Sequence, residues 1–135
     1  MKSVLVIDDE LDVRDAIQRV LTRAGYSVRN VGTAEFAFAE LKQIPADLVI
    51  TDIIMPQSNG IDVINTLRQQ FPGTRILAIS GGGNFGVKAY QPGSITTTAY
   101  LAAAQKAGAH HILTKPFESK DLLQAVESAI GAHAG

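Results

Sequence analysis

The chain has 135 residues, 46% hydrophobic and 19% charged, with a formal net charge of −1 and no cysteine. That size and balance suit one globular domain with a substantial core. A near-neutral charge argues against a global field for nucleic acid or membrane, and the missing thiols exclude disulfides and thiolate metal sites. The apolar runs are only a few residues long, against the roughly twenty needed to cross a bilayer, so no membrane span or signal peptide is expected and the cytoplasm is the expected location.

In chain order, "VLVI" (residues 4–7) is a candidate buried strand, because an apolar run without polar alternation suits a parallel strand covered on both faces. Val13, Ala16, Ile17, Val20, Leu21 and Ala24 then recur at helical spacing until Gly25 stops the series. "YSVRNV" (residues 26–31) is more mixed and suits an edge strand. Thr33 is placed to cap a second helix that has Ala34, Ala37, Phe38 and Leu41 on one face and ends before Pro45. "LVI" (residues 48–50) reads as the next strand, and residues 60–71 as a third helix with Val63, Ile64, Leu67 and Phe71 inward and Pro72-Gly73 as its stop.

"ILAI" (residues 76–79) and "IL" (residues 112–113) read as two further strands, and a last helix near 119–130 lines up Leu122, Ala125, Val126, Ala129 and Ile130. Residues 81–98, "GGGNFGVKAYQPGSITTT", have no clear period, with a helix expected to resume near Ala99. Residues 131–135 read as a frayed tail. Alternating strands and helices predict an α/β domain with a parallel sheet. Acids are concentrated in residues 1–62, whereas residues 63–117 carry Arg68, Arg75, Lys88, Lys106 and Lys115 and no acid, a mildly basic stretch that ordinary surface residues would account for.

The chemistry-bearing residues follow the apolar runs. "VLVI" delivers Asp8-Asp9-Glu10, "LVI" delivers Thr51-Asp52, "ILAI" delivers Ser80, and "ILT" delivers Lys115-Pro116. In a parallel sheet all of these are carboxyl ends, along the edge where α/β folds bind ligands. Carboxylates gathered there would repel one another, which calls for a cation or raised pKa values. All-oxygen ligation suits Mg²⁺ or Mn²⁺ better than zinc. Metal, lysine and hydroxyl aimed at one spot suit a phosphoryl group, with a carboxylate as its acceptor.

Taken together, "VLVIDDE", "DLVITDIIMPQSNGID", "ILAIS", "AGAHHILTKPF" and the closing helix resemble the receiver domains of two-component response regulators across the whole chain. The resemblance implies a flavodoxin-like, doubly wound (βα)5 fold with a five-stranded parallel sheet in the order 2-1-3-4-5, here with an extended segment between the fourth strand and fourth helix. It implies that Asp52 accepts a phosphoryl group from a phosphohistidine on a sensor histidine kinase or a histidine phosphotransfer protein. It further implies Mg²⁺ (Mn²⁺ as a substitute) on Asp8, Asp9, Asp52 and the Ile54 backbone carbonyl, with Asp8 acting through water. Lys115 and Ser80 would contact the phosphoryl group, Ile53 and Gly81 would bind it, Ser80 and Ile112 would occupy switch positions, and the peptide before Pro116 would be cis.

Two departures from that pattern concern readout. Ser80 and Lys115 are further apart than is usual, which suggests signalling through the ordering of residues 81–98, and Ile112 stands where many receivers have Tyr or Phe. Ile54 is apolar where a polar side chain could orient water, so a long-lived phosphoaspartate is expected. His110, His111 and His133 are expected at the surface or at strand ends.

The expected protein is a phosphoacceptor switch rather than a metabolic enzyme, built as a single receiver domain over residues 1–135, without direct DNA binding and with a downstream target protein as its second partner. Two alternatives are an interaction-only receiver and an α/β phosphatase with an aspartyl intermediate. Gly81, Gly83 and Gly86 match a dinucleotide-loop spacing, but they come late in the chain, and no acid follows before Glu118 to hold a ribose.

Overall fold

The structure, a computed structural model, describes residues 2–55, 58–80, 102–115 and 117–131. Strand β1 (Ser3–Ile7) leads to helix α1 (Leu11–Arg23), β2 (Ser27–Val31), α2 (Ala34–Gln43) and β3 (Leu48–Asp52). Helix α3 (Gly60–Gln70), β4 (Arg75–Ser80), helix α4 (102–107), β5 (His111–Thr114) and α5 (Ser119–Gly131) follow. The five strands form one all-parallel sheet in the order β2-β1-β3-β4-β5, as expected from the sequence. Between β3 and α3, Ile54–Met55 pairs antiparallel with Ser58–Asn59.

The apolar runs lack polar alternation because both sheet faces are covered. Leu5, Ile7, Val49, Ile76 and Ala78 point to one side and pack with Ala37, Leu41, Val63, Ile64, Leu67 and Ala104 from α2, α3 and α4. Their strand neighbours Val4, Val6, Leu48, Ile50, Leu77 and Ile79 point the other way, onto Ile17 and Leu21 of α1 and Leu122, Val126 and Ala129 of α5. A fully buried leucine or isoleucine contributes about 1.5–3 kcal/mol, so this double core dominates stability. Tyr26 packs against the α1/α5 side, and burial, reinforced by the carboxylate of Glu127, pushes its hydroxyl pKa above the usual tyrosine value.

Local signals act as read. Gly25 adopts φ 102° after α1, where a side chain would be strained, and the Tyr26 N–H reaches back to the Leu21 carbonyl at 3.0 Å. The Thr33 hydroxyl accepts the Phe36 N–H at 3.2 Å and caps α2. The α1 face departs from expectation: Ile17 and Leu21 are buried and Val13 and Val20 half-buried, but Ala16 and Ala24 are exposed. Half-buried Arg14 and Gln18 reach β2 from the helix instead. The expected irregular segment 81–98 and the tail beyond residue 131 lie outside the described residues, as does His133. Among the described residues, no helix is long and apolar enough to cross a membrane.

Candidate phosphoryl and metal site

The parallel topology decides where the acids meet. β1 and β3 are neighbours in register, with Ile7 opposite Thr51, so Asp8 and Asp52 leave the same edge of the sheet side by side. Each is almost fully buried, Asp8 2% and Asp52 3% exposed, while Asp9 is exposed. One carboxylate oxygen from each of Asp8, Asp9 and Asp52 lies within 4.8 Å of the others.

Lys115 enters from the end of β5, on the far side of β4. Its Nζ lies 3.3 Å from Asp52 Oδ2 and 3.5 Å from Asp8 Oδ2, with its side chain 9% exposed. One ammonium set against three carboxylates leaves negative charge in a poorly solvated place, which favours a cation there. The donor set is all oxygen, without sulfur or imidazole, and fits a hard ion such as Mg²⁺.

Neighbouring groups hold the acids in place. Asp8 Oδ1 accepts the Glu10 N–H at 2.9 Å, which tightens the turn into α1, while Glu10, the N-cap residue, makes no side-chain cap of its own. The buried Thr51 hydroxyl donates to the Asp52 carbonyl at 3.1 Å. Ser80 closes β4 in register with Thr114, one strand from Asp52. Ile54 begins the short antiparallel ladder opposite Asn59.

The Ile53 N–H donates to the Ile79 carbonyl at 3.0 Å, extending the β3–β4 ladder by one residue beyond Asp52. Gly81 and Pro116 lie outside the described residues.

Comparison with known proteins places this arrangement. Residues 4–127 match the family model of the response regulator receiver domain. The chain belongs to that family. Among curated relatives it is 31% identical over 126 residues to the chemotaxis protein CheY of Thermotoga maritima, covering 93% of this chain and 94% of that protein. It is 32% identical over 128 residues to the DNA-binding transcriptional regulator NtrC of Bradyrhizobium, covering 95% of this chain but only 24% of that protein. The chain thus spans about a quarter of the NtrC-type relatives it matches. Its fold superposes on the crystal structure of NtrX from Brucella abortus with a TM-score of 0.81 at 28% identity, covering 97% of this chain and 27% of that one.

Two residues outside the expected ligand set shape this receiver's site. A Cβ on Gly60 would overlap the Ile53 Cα and carbonyl, so only glycine lets the first turn of α3 lie against the chain leaving Asp52. The sequence hint was a glycine at the first position of a helix. The second is Arg14, whose Nη1 donates to the Asp8 carbonyl at 3.1 Å; the sequence offers for it only a charged residue one helical turn before Gln18.

The remaining candidates sit elsewhere in the receiver. Ile112 is half-buried against the core on the α2/α3/α4 side. His110 is built into the sheet: its N–H donates to the Ile76 carbonyl at 2.9 Å and its Nδ1 accepts the Ile76 N–H at 3.0 Å. His111 is the first residue of β5. Among the described residues of the mildly basic stretch, Lys115 stands at the carboxyl end of the sheet, while Arg75 opens β4 at the other end and bonds the Ala129 carbonyl at 3.2 Å.

Proposed function

We propose that this receiver accepts a phosphoryl group on Asp52 from a phosphohistidine of a sensor histidine kinase or histidine phosphotransfer protein, and serves as a switch or relay in two-component signalling rather than as a metabolic enzyme. The observation that carries this reading is the position of Asp52: buried at the end of β3, 3.3 Å from the Lys115 ammonium and grouped with Asp8 and Asp9.

In the transfer, an Asp52 carboxylate oxygen forms the bond to phosphorus as the P–N bond of the donor breaks. The electron pair returns to the donor imidazole, which takes up a proton. Lys115 is already positioned to balance charge on a phosphoryl oxygen, so little reorganisation is needed. The Ser80 hydroxyl, at the end of the adjacent strand, is the proposed hydrogen-bond partner of that group. Mg²⁺, held by Asp9, Asp52 and the Ile54 carbonyl and by Asp8 through water, would supply the remaining charge neutralisation. The cytoplasm, where such donors act, is the proposed location.

Intact mass spectrometry after incubation with acetyl phosphate tests the reading. One phosphoryl adduct is expected on the wild type with Mg²⁺, and none on Asp52→Asn or with chelator. An adduct that persists in Asp52→Asn, or none on the wild type, overturns it. Ile54 offers no polar side chain to orient water. Once formed, the adduct is therefore expected to outlast a mixing experiment, and loss within seconds would contradict that expectation.

A further inference from the structure

A chain of polar side chains runs from the edge of the sheet into the acidic turn. Val28 and Asn30, two apart on edge strand β2, face the same side, and Arg14 and Gln18, four apart on α1, share a helix stripe. Gln18 Nε2 donates to the Val28 carbonyl at 3.0 Å, and Asn30 Nδ2 donates to Gln18 Oε1. Arg14 Nε donates to Asn30 Oδ1 at 3.0 Å, and Arg14 Nη1 donates to the Asp8 carbonyl at 3.1 Å. The guanidinium is packed as well as bonded: a Cβ on Gly32 would stand 3.2 Å from Nη1, so the turn after β2 closes over it.

Asp8 is the residue at which β1 leaves the sheet. Its N–H makes the last ladder bond to the Val31 carbonyl at 3.2 Å, its Oδ1 holds the Glu10 N–H, and its Oδ2 faces Lys115. The Arg14 contact completes this set from the carbonyl side.

We propose that Arg14 is a positioning residue for the acidic site: anchored on β2 through Asn30 and Gln18, it fixes the Asp8 carbonyl and so sets the turn that brings Asp8 and Asp9 to Asp52. The proposal rests on reading the acidic cluster as a Mg²⁺ site. Groups that orient metal ligands without touching the metal typically control affinity by tenfold or more. The guanidinium charge acts in the opposite direction, since removing a nearby cation would by itself tighten Mg²⁺ binding. The sign of the effect therefore separates positioning from charge.

The test is Mg²⁺ titration of the full chain, followed by calorimetry and by backbone amide shifts, well below the melting temperature. Arg14→Ala is expected to weaken Mg²⁺ roughly tenfold and to move the Glu10 amide resonance before any metal is added. Arg14→Lys keeps the charge but cannot span Asn30 and the Asp8 carbonyl together, so it is expected to weaken binding as well. Asn30→Ala, which leaves Arg14 in place, is expected to act in the same direction by a smaller factor and serves if Arg14→Ala does not fold. Unchanged or tighter binding in Arg14→Ala, or in Asn30→Ala where Arg14→Ala is unfolded, overturns the proposal, as does full affinity in Arg14→Lys. A wild type that binds no Mg²⁺ overturns the metal reading and this proposal with it.

Discussion

The two ends of the same sheet are built to different rules. At the amino end, each strand is tied to its neighbour as it enters. The Ser27 N–H bonds Lys2 O, the Asp47 N–H bonds Ser3 O, the Arg75 N–H bonds Asp47 O and the His110 N–H bonds Ile76 O, all at 2.9 Å. Side chains repeat the pattern, with Asp47 Oδ2 on the Ser3 N–H at 2.8 Å and the buried Thr74 hydroxyl on the Ala46 carbonyl at 2.9 Å. At the carboxyl end, two buried carboxylates face the Lys115 ammonium, and the exposed carboxylate of Asp9 gathers with them. One end satisfies polar groups pairwise and stabilises the fold. The other holds like charges together, an arrangement that a ligand can relieve.

Substitutions at each end break or sharpen that contrast. The largest effect on folding is expected from Gly60→Ala, whose methyl must displace the Ile53 backbone. A loss of about 3 kcal/mol in denaturant unfolding is expected, together with slower phosphoryl uptake because Asp52 precedes the displaced residue. Thr74→Val, at the amino end, leaves the Ala46 carbonyl without its partner and is expected to lose about 1.5 kcal/mol, with the rate of phosphoryl uptake unchanged. Asp8→Asn should act in the opposite direction: the amide oxygen still accepts the Glu10 N–H, one buried negative charge is removed, and metal-free stability rises by about 1 kcal/mol. The same variant should lose the Mg²⁺-dependent rise in melting temperature that ligand binding gives the wild type. Should Asp8→Asn be less stable than the wild type without metal, the contrast between the two ends fails.

The similarities to known proteins bear on the whole chain differently from its parts. The match to CheY runs nearly end to end in both proteins, whereas the match to NtrC involves a quarter of that regulator. The phosphoacceptor chemistry proposed for this chain therefore stands on its receiver-family match and on its own acidic site.

The sequence by itself determined the order of elements, the parallel sheet and the identity of the acidic residues. Unbroken apolar runs alternating with helical patterns suit parallel strands covered on both faces, and the residues that follow such runs emerge at the carboxyl edge of the sheet. Gly25 and Thr33 were readable because a left-handed turn and a helix cap depend on one or two neighbouring residues. The tertiary structure decided whatever depends on contacts between segments distant in sequence. Lys115 meets Asp8 across 107 positions and Asp52 across 63. Spacing alone could not show that Ile53 would donate to Ile79, that Gly60 would press on Ile53, or that Arg14 would leave the solvent to hold Asp8. Periodicity records which face of a helix is apolar. It does not record which polar side chain a neighbouring strand edge will draw inward, because that hydrogen bond exists only once the two elements have packed.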